Sequence, residues 1–510
     1  MLPRHQKITR RDFLKISFTA GGALLVGSFL DACASPAPTP TSTQIPTLAP
    51  TSTFTPIPEP VFQPNVYIRI EKNGLITLSI HRSEMGQGVR TSLAMILAEE
   101  LEADWNNIRV EQMDAVGSLN QITSGSGSIT DNYAPLREAG AAARAILVNA
   151  AAQTWNVSPD ECKAAESAIV HSASGKKLSY GELVSVAKDL KLESAPQLKD
   201  PKNFNFIGTS MPRIDEPDIV TGKAIYGSDV RLPGMLFATV ARSPVLGGKL
   251  IDYDSAKAES VAGVRSVVKI SNGVAVVAQN TWAAIQGRAA LKINWDEGSL
   301  ASLSTESIRQ KLVDKMNTAI AKETSNGLTT LAAIYETPFL AHAAMEPVNC
   351  VADVRADHCD IWVPTQNPHD VQSYVRNLIK VPTDVHVTLL GGGFGRKLEV
   401  DYPLEAAEIS QALHVPIQLV WTREDDIQHD FYRQISYHWL KAGWDEKGDL
   451  QLWRHYIAAP GINGIAYRAG KEVLEEGLGT LYGISGSLPQ SFLVNSPVPT
   501  GSWRGVLSTP

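Results

Sequence analysis

The chain has 510 residues, of which 44% are hydrophobic, and it carries a formal net charge of −7. This length and apolar content are enough for three or more compact regions, each with its own core. The modest acidity and the lack of a basic cluster argue against nucleic acid as a partner. After residue 30, no apolar run is long enough to cross a bilayer.

Paired arginines mark the N-terminus. Arg10 and Arg11 are followed by Asp-Phe-Leu-Lys and then by an apolar run over residues 16–30. The run is short and glycine-rich for a membrane span, and paired arginines directly before such a run are typical of an export signal. We therefore predict a twin-arginine signal within residues 1–33. This pathway carries folded proteins, which suits a chain that receives a cofactor before export.

A cysteine follows the apolar run. Cys33 comes after Leu30-Asp31-Ala32, which resembles the lipobox where bacterial lipoproteins are cleaved and acylated. Plain signal cleavage is the alternative, because aspartate is unusual at the second position. The next residues are rich in Pro, Thr, Ser and Ala, so they cannot bury a core and favour an extended chain. The sequence predicts an extracytoplasmic lipoprotein, anchored to the membrane through a linker at 34–64.

Residues 65–200 alternate strand and helix patterns. Periodicity of apolar residues predicts, in order, a hairpin, a helix, a strand and a helix at residues 66–70 with 76–81, 91–102, 108–111 and 135–155. Two glycine-rich segments precede the helices: residues 83–89 (Ser-Glu-Met-Gly-Gln-Gly-Val) and 124–128 (Ser-Gly-Ser-Gly-Ser). Backbone donors converge at such positions, which favours an anionic ligand.

Residues 205–305 have a different texture, with short strands around one helix. The predicted elements are strands at 237–241, 264–270 and 273–278 and a helix at 282–291. The charged stretch 297–326 is predicted to be a solvated helix and linker.

Four cysteines are present, and lipidation would consume Cys33. Cys162, Cys350 and Cys359 form neither a C-x-x-C pair nor the C-x4-C-x2-C run of a plant-type iron–sulfur cluster. Buried thiols are the favoured interpretation, although a bridge between Cys350 and Cys359 is permitted outside the cytoplasm. The chain is therefore predicted to hold no electron relay of its own.

Residues 391–397 (Gly-Gly-Gly-Phe-Gly-Arg-Lys) lie between a strand pattern at 385–390 and a helical pattern at 398–413. Consecutive glycines allow several backbone N–H groups to point into one concavity, and a following helix N-terminus favours an anion. The spacing matches neither a Walker A loop nor a dinucleotide fingerprint. The loop therefore suits a phosphate or an oxo anion, with an ordinary turn as the alternative.

Two further motifs lie upstream of this loop, at 341–347 (Ala-His-Ala-Ala-Met-Glu-Pro) and 362–369 (Trp-Val-Pro-Thr-Gln-Asn-Pro-His). Together the five motifs resemble the large, molybdenum-binding subunit of the xanthine dehydrogenase and aldehyde oxidase superfamily. The nearest type is the isoquinoline 1-oxidoreductase beta subunit, in which Glu-Met-Gly-Gln-Gly precedes Gly-Gly-Gly-Phe-Gly. The resemblance implies an α+β multidomain fold. Its expected parts are molybdopterin-binding segments at 65–200 and 325–510 and an a/b hammerhead domain at 205–305.

The resemblance also implies a molybdenum hydroxylase that oxidises an aldehyde or an N-heteroaromatic compound with an oxygen atom derived from water. The metal is held by the dithiolene of a pterin, expected in its cytosine dinucleotide form, so the protein need not supply metal ligands. Gln366 is expected to donate its amide to a ligand of the metal. The residues expected to bind the cofactor are Gly86, Gln87, Gly88, Ser124, Gly125, Ser126, Gly127, Ser128, Gly391, Gly392, Gly393, Phe394, Gly395 and Arg396.

Three more residues are interpreted through the family. Arg433 matches a position where purine-oxidising relatives keep an arginine that polarises the substrate, with a surface arginine as the alternative. Those relatives place a glutamate directly after the loop lysine, where this chain has Leu398, so purines are not expected as substrates. His342 and Glu346 are interpreted as a structural pair beneath the site.

The essential base of the family is a glutamate near the C-terminus, beyond the point where this sequence stops, so the chain alone is expected to lack it. A separate small subunit with two [2Fe–2S] clusters is expected to take the electrons and pass them to an acceptor such as a cytochrome. Two alternatives stay open. One is a truncated, non-catalytic exported lipoprotein that serves as a surface or assembly component, and the other is an exported enzyme for phosphorylated ligands.

Overall fold

The first sheet contains the predicted hairpin and a helical crossover. The computed structural model describes residues 60–324, 327–463, 468–469 and 487–506, which belong to one compact unit. The first four strands are β1 (Val61–Asn65), β2 (Ile68–Glu71), β3 (Ile76–Ile80) and β4 (Ile108–Gln112). They pair in sequence order, antiparallel up to β3 and parallel between β3 and β4. Helix α1 (Val89–Leu101) makes the parallel crossover.

Helix α1 packs against a long helix that follows the second glycine-rich segment. The short α2 (Gly127–Thr130) leads into α3 (Tyr133–Trp155). Leu93, Leu97 and Leu101 of α1 are fully buried, as their helical spacing predicts. The two helices approach closely because α3 has glycine at the contact: a Cβ at Gly140 would lie 2.7 Å from the carbonyl oxygen of Leu97.

A strap of irregular chain fastens this first part together. Strands β5 (Cys162–Ala165), β6 (Ala168–His171) and β7 (Lys177–Ser179) precede α4 (Tyr180–Ala187) and, after the strap, α5 (Glu216–Val220). The Glu99 carboxylate of α1 is fully buried and accepts the backbone N–H groups of Asn205, Phe206 and Ile207. Lys199 Nζ lies 2.7 Å from the same carboxylate and balances its charge.

The middle part contains the predicted strands and helix. Its elements are β8 (Leu236–Arg242), β9 (Lys249–Asp254), α6 (Ala256–Glu259), β10 (Val264–Ile270), β11 (Gly273–Ala278), α7 (Thr281–Ala290) and β12 (Lys292–Asp296). Strands β9 and β12 pair with each other as a separate antiparallel ribbon. Strand β11 lies between β10 and β8 and is buried along its whole length.

The last part carries the remaining elements. They are α8 (Thr305–Ile320), β13 (Thr329–Thr337), β14 (Asn349–Val354), β15 (Cys359–Val363), α9 (Pro368–Ile379), β16 (Thr383–Val387), α10 (Asp401–Leu413), β17 (Ile417–Val420), α11 (Arg423–Gln428), β18 (Ser436–Trp444), β19 (Leu450–Ala459), β20 (Ile462–Asn463), β21 (Arg468–Ala469) and β22 (Ser487–Leu493). Helix α8 is not solvated all round, because Ile308, Leu312 and Met316 are buried. Short 3-10 helices occupy Trp105–Asn107, Pro159–Glu161, Pro201–Asn203, Gly227–Asp229, Gly298–Leu300 and Arg396–Leu398.

A seven-stranded sheet joins the middle and last parts. Its order is β10-β11-β8-β17-β14-β15-β16, and β8 pairs in parallel with β17. Strands β13, β18, β19 and β22 form a second sheet. The mixed α+β class is confirmed. The division at 65–200, 205–305 and 325–510 stays a prediction, and strands from the last two of these segments share one core.

The helix after the glycine loop begins later than predicted. The pattern at 398–413 predicts a helix directly after the loop, but α10 begins at Asp401. A 3-10 turn at Arg396–Leu398 and the extended backbone of Glu399 (φ −76°, ψ 152°) come first. The N-terminus of α10 is therefore separated from the glycines, and the proposed dipole contribution to the loop loses its geometric basis.

The favoured interpretation of the cysteines is confirmed. Cys162, Cys350 and Cys359 are buried free thiols. Burial raises the pKa of the Cys359 thiol to about 12, so it stays protonated at neutral pH. Cys33, the export signal at 1–33 and the linker up to residue 59 lie outside the described residues. Among the helices that the structure describes, none is both long and apolar enough to span a bilayer.

Candidate functional site

The centre of the candidate site is the side chain of Gln366, which is 3% exposed. Its Nε2 donates to the carbonyl oxygen of Thr123 at 2.8 Å, and its Oε1 accepts the backbone N–H of Gly395 at 3.0 Å. The backbone adds two bonds, from Thr123 N to Gln366 O at 2.9 Å and from Gln366 N to Lys397 O at 2.8 Å. One residue thus joins the 124–128 segment to the 391–397 loop.

The glycine loop holds backbone conformations that most side chains disfavour. Gly392, Phe394 and Gly395 have φ values of 92°, 56° and 113°. Gly395 also lies against the carbonyl oxygen of Ser502, in space that a Cβ would need. Gly393 is required for a different reason, since a Cβ there would lie 2.5 Å from Gln366 Oε1.

Three adjacent donors of this loop remain free. Within the part of the chain that the structure describes, the backbone N–H groups of Gly392, Gly393 and Phe394 have no hydrogen-bond acceptor. Unpaired N–H groups are costly unless water or a ligand accepts them. This agrees in chemistry with the predicted oxo-anion cradle.

A buried ion pair fixes the start of the loop. Glu346 Oε2 accepts the N–H of Gly391 at 2.9 Å and lies 2.6 Å from Lys397 Nζ, and Glu346 N donates to Gly391 O at 2.9 Å. Burial raises the pKa of Glu346, but the Lys397 ammonium and the N–H donors outweigh it and hold that pKa below its usual value. The carboxylate is therefore ionised at neutral pH and keeps Gly391 in place.

His342 belongs to a second charged group. His342 Nδ1 lies 3.0 Å from Asp430 Oδ1, and Arg396 Nε lies 3.1 Å from the same oxygen. Arg396 is 1% exposed and also donates two bonds to Asp401, at 2.8 and 2.7 Å. The interpretation of His342 and Glu346 as one pair is therefore wrong, since each pairs with a different charge. The Arg396 guanidinium is committed to protein carboxylates, which leaves only its backbone for a cofactor.

The Gly86–Gly88 turn forms an anion nest that the chain fills with its own carboxylate. Glu84 is 2% exposed, and its Oε1 accepts the N–H groups of Gly86 and Gly88, both at 2.9 Å. Its Oε2 accepts the N–H of Arg90 at 3.1 Å, at the first turn of α1. Sequence reasoning missed Glu84. The available signal was a glutamate shortly before a glycine that begins a helix.

Gln87 turns back onto its own loop. Its Nε2 donates to Ser83 O at 3.0 Å, and its Oε1 accepts the N–H of Met85 at 2.7 Å. The donors expected to hold a cofactor phosphate at residues 86–88 are thus occupied in part by the protein. The binding role of this segment stays a prediction. Glu84 O accepts the N–H of Leu390 at 3.0 Å, which places the segment directly beside the strand end that leads into the glycine loop.

Arg433 lies apart from these contacts. Its backbone pairs with Leu340, its guanidinium donates to Pro338 O at 3.3 Å, and it lies 5.6 Å from the Trp503 ring. None of the hydrogen bonds between described residues joins Arg433 to Gln366. Its role toward a substrate stays a prediction.

One surface group on β15 and β16 has metal-ligating side chains. Ligand atoms of His358, Asp360 and Asp384 lie within 4.8 Å of one another. Asp360 already pairs with Arg355 and lies 3.0 Å from His386 Nε2, while His358 lies 3.1 Å from Asp384. These internal ion pairs account for the cluster, and we assign no metal to it.

Comparison with known proteins matches both ends of this arrangement. The family model for the molybdopterin cofactor-binding domain matches twice, over residues 309–484 and 45–216, and so includes every segment that meets at Gln366. The chain is 29% identical to the beta chain of isoquinoline 1-oxidoreductase from Brevundimonas diminuta over 90% of its length. The chain belongs to the molybdenum-binding subunits of the xanthine dehydrogenase family.

Other members of the xanthine dehydrogenase family show similar identity. The membrane-bound aldehyde dehydrogenase of Gluconacetobacter polyoxogenes is 29% identical over 81% of this chain, and a nicotinate dehydrogenase subunit of Pseudomonas putida is 29% identical over 76%. Among solved structures, quinoline 2-oxidoreductase from Pseudomonas putida 86 aligns with 59% of this chain and 46% of its own, with 19% identity and a TM-score of 0.48. The chain spans 65%, 57% and 33% of the length of the three relatives compared by sequence.

The residues present fit the molybdopterin of this family. The free N–H groups of Gly392, Gly393 and Phe394 offer donors to an oxygen of the cofactor, and the absence of a side chain at Gly393 keeps Gln366 within reach. Gln366 Nε2 carries a second hydrogen beyond the one given to Thr123, and that hydrogen is available to a ligand.

Replacing Gly393 by valine should displace the loop. The new Cβ would meet Gln366 Oε1 at 2.5 Å, so we expect loss of bound pterin and a stability loss of about 1–3 kcal/mol from overpacking. Gly117→Val is the matched control, because no heavy atom lies within 4 Å of a Cβ at that glycine. Thermal denaturation and pterin fluorescence measure the two effects. Unchanged pterin content in Gly393→Val would show that the loop is an ordinary turn.

Proposed function

We propose that the chain is the molybdopterin-binding large subunit of an oxidoreductase that oxidises an aldehyde or an N-heteroaromatic compound with an oxygen atom derived from water. The observation that carries the proposal is the junction at Gln366, where a buried amide joins two segments that both match the cofactor-binding domain. Relatives named for isoquinoline, nicotinate and aldehyde oxidation support the substrate class.

The cofactor, when bound, would supply the molybdenum centre at which the substrate is oxidised. The protein residues position that centre. The backbone donors at Gly392, Gly393 and Phe394 would hold an oxygen of the cofactor, and the second hydrogen of Gln366 Nε2 would bind another ligand atom. Glu346 and Lys397 fix the loop from below, so these donors need no rearrangement to act.

The electrons from the oxidation require an acceptor outside this chain. We propose a small subunit with [2Fe–2S] clusters and then an acceptor such as a cytochrome, because the four cysteines of the sequence have no cluster spacing. Relatives that are themselves named as single subunits, among them a large molybdopterin subunit, support a multi-subunit enzyme. For the pterin itself, we propose the cytosine dinucleotide form.

Metal and pterin analysis of the purified protein tests this function. Produced with its neighbouring gene products in a host that makes the cofactor, the protein should contain about one molybdenum and one pterin per chain, with iron on a second polypeptide. Protein from a host that cannot make the cofactor serves as the blank. A folded protein without molybdenum or pterin from the competent host would contradict the proposal and favour the non-catalytic lipoprotein. Aldehydes and N-heteroaromatics are the substrates to assay.

We further propose that the protein is exported by the twin-arginine pathway and anchored through lipid on Cys33. The arginine pair, the apolar run and the Pro/Thr-rich segment support this localisation. Cys33→Ser should move the protein from the membrane fraction to the extracytoplasmic soluble fraction, while changing both Arg10 and Arg11 to lysine should keep it in the cytoplasm. Fractionation after labelling with a fatty acid measures both outcomes. Equal membrane retention of Cys33→Ser would contradict lipidation at this residue.

A further inference from the structure

Arg82 is a buried cation without a close partner. It follows β3 by two residues and is 3% exposed. Its one ion pair is with Asp131, at 3.9 Å, and the Asp131 side chain is 59% exposed. Within the described part of the chain, the Arg82 side chain makes no hydrogen bond, and its Nε is buried without an acceptor. Burying a charge in this way is costly, because it loses water and gains little in return.

The other deeply buried cations of the site are paired at short distance. Arg396 donates to Asp401 at 2.7 Å, and Lys397 lies 2.6 Å from Glu346. Both are as buried as Arg82, at 1% and 0% exposed. The contrast shows that the fold supplies carboxylates to buried cations elsewhere in the site but not to Arg82.

Two neighbours of Arg82 share its lack of partners. The hydroxyl of Ser83 and Nδ1 of His81 are also buried without a hydrogen-bond partner. Ser83 itself is fully buried, and its backbone N donates to Thr123 Oγ1 at 2.8 Å. His81 Nε2 lies 2.9 Å from Asn132 Oδ1. Three consecutive residues therefore lie beside the two ends of the 124–128 segment with unused polar atoms.

The adjoining segment offers further donors. Residues 124–126 are exposed, and Gly125 and Ser126 are both in the left-handed region, at φ 58°. Their backbone N–H groups have no acceptor among the residues that the structure describes. Successive donors of this kind, next to an arginine and a hydroxyl, match the oxygens of a phosphate, which a guanidinium can bind with two hydrogen bonds.

We propose that Arg82 and Ser83, together with the exposed 124–128 segment, form a phosphate-binding site. The inference rests on the proposed function in naming the source, which is the phosphate of the molybdopterin cofactor. The site is continuous with the junction, because Thr123 bonds both to Ser83 and to Gln366. The ligand would give Arg82 the close anion that the protein does not supply, and exposed Asp131 would turn away from it.

The test measures phosphate and cofactor separately. Full-length protein from a host that cannot make the cofactor is titrated with inorganic phosphate by calorimetry. Arg82→Gln should bind roughly ten- to a hundredfold more weakly than the unchanged protein, because charge-assisted hydrogen bonds are lost. Arg69→Gln is the matched control, since Arg69 is an exposed arginine on β2 that pairs with Glu71. Arg82→Gln should melt no lower than the unchanged protein, because it removes an unpaired buried charge.

The second arm uses protein from a host that makes the cofactor. Arg82→Gln should lose most of its pterin, while Arg69→Gln and the unchanged protein should keep theirs. If Arg82→Gln keeps its pterin, the cofactor is not the source and the inference is overturned, although the proposed function stands. If even the unchanged protein has no pterin, the proposed function fails. Phosphate titration then decides alone, and equal affinity in the unchanged protein and Arg82→Gln, or no affinity in either, overturns the site.

Discussion

The amide of Gln366 is the interaction on which the rest of the site depends. It donates to Thr123 O and accepts from Gly395 N, two groups that are distant in sequence and lie next to different glycine-rich segments. Both bonds are buried, so water cannot replace them without opening the core. Gly393 has no side chain at the point where one would collide with this amide. The free donors of the loop keep their positions because Gln366 and Glu346 hold the loop at both ends.

The chain uses its own carboxylates to shape loops that carry no regular structure. Glu84 gathers the N–H groups of Gly86, Gly88 and Arg90, Glu346 holds Gly391, and Glu99 holds the strap at 205–207. Each carboxylate is buried or nearly so, and each accepts backbone donors that would otherwise be unpaired. A loop tied in this way is already arranged before any ligand binds, which lowers the cost of binding.

Much of the fold could be predicted from the sequence, because apolar periodicity marks α1, α3, β11 and α7 directly. The start of α10 could not, since the ion pairs of Arg396 with Asp401 and Asp430 accompany a 3-10 turn that no local pattern indicates. For the same reason His342 and Glu346 were paired wrongly: their partners lie far along the chain. Motif spacing identified the cofactor segments, but it gave no sign that Glu84 fills the nest at Gly86 and Gly88.

The central claim is that one amide couples the two cofactor segments, and hydrogen exchange tests it most directly. In Gln366→Ala, the backbone amides near Gly395 and those near Thr123 should exchange faster together, by roughly tenfold for a lost net contribution of about 1–1.5 kcal/mol. Gln411→Ala is the control, because that exposed glutamine bonds only to Ile379 O, at 3.3 Å. Faster exchange at one segment alone, or at neither, would contradict the account.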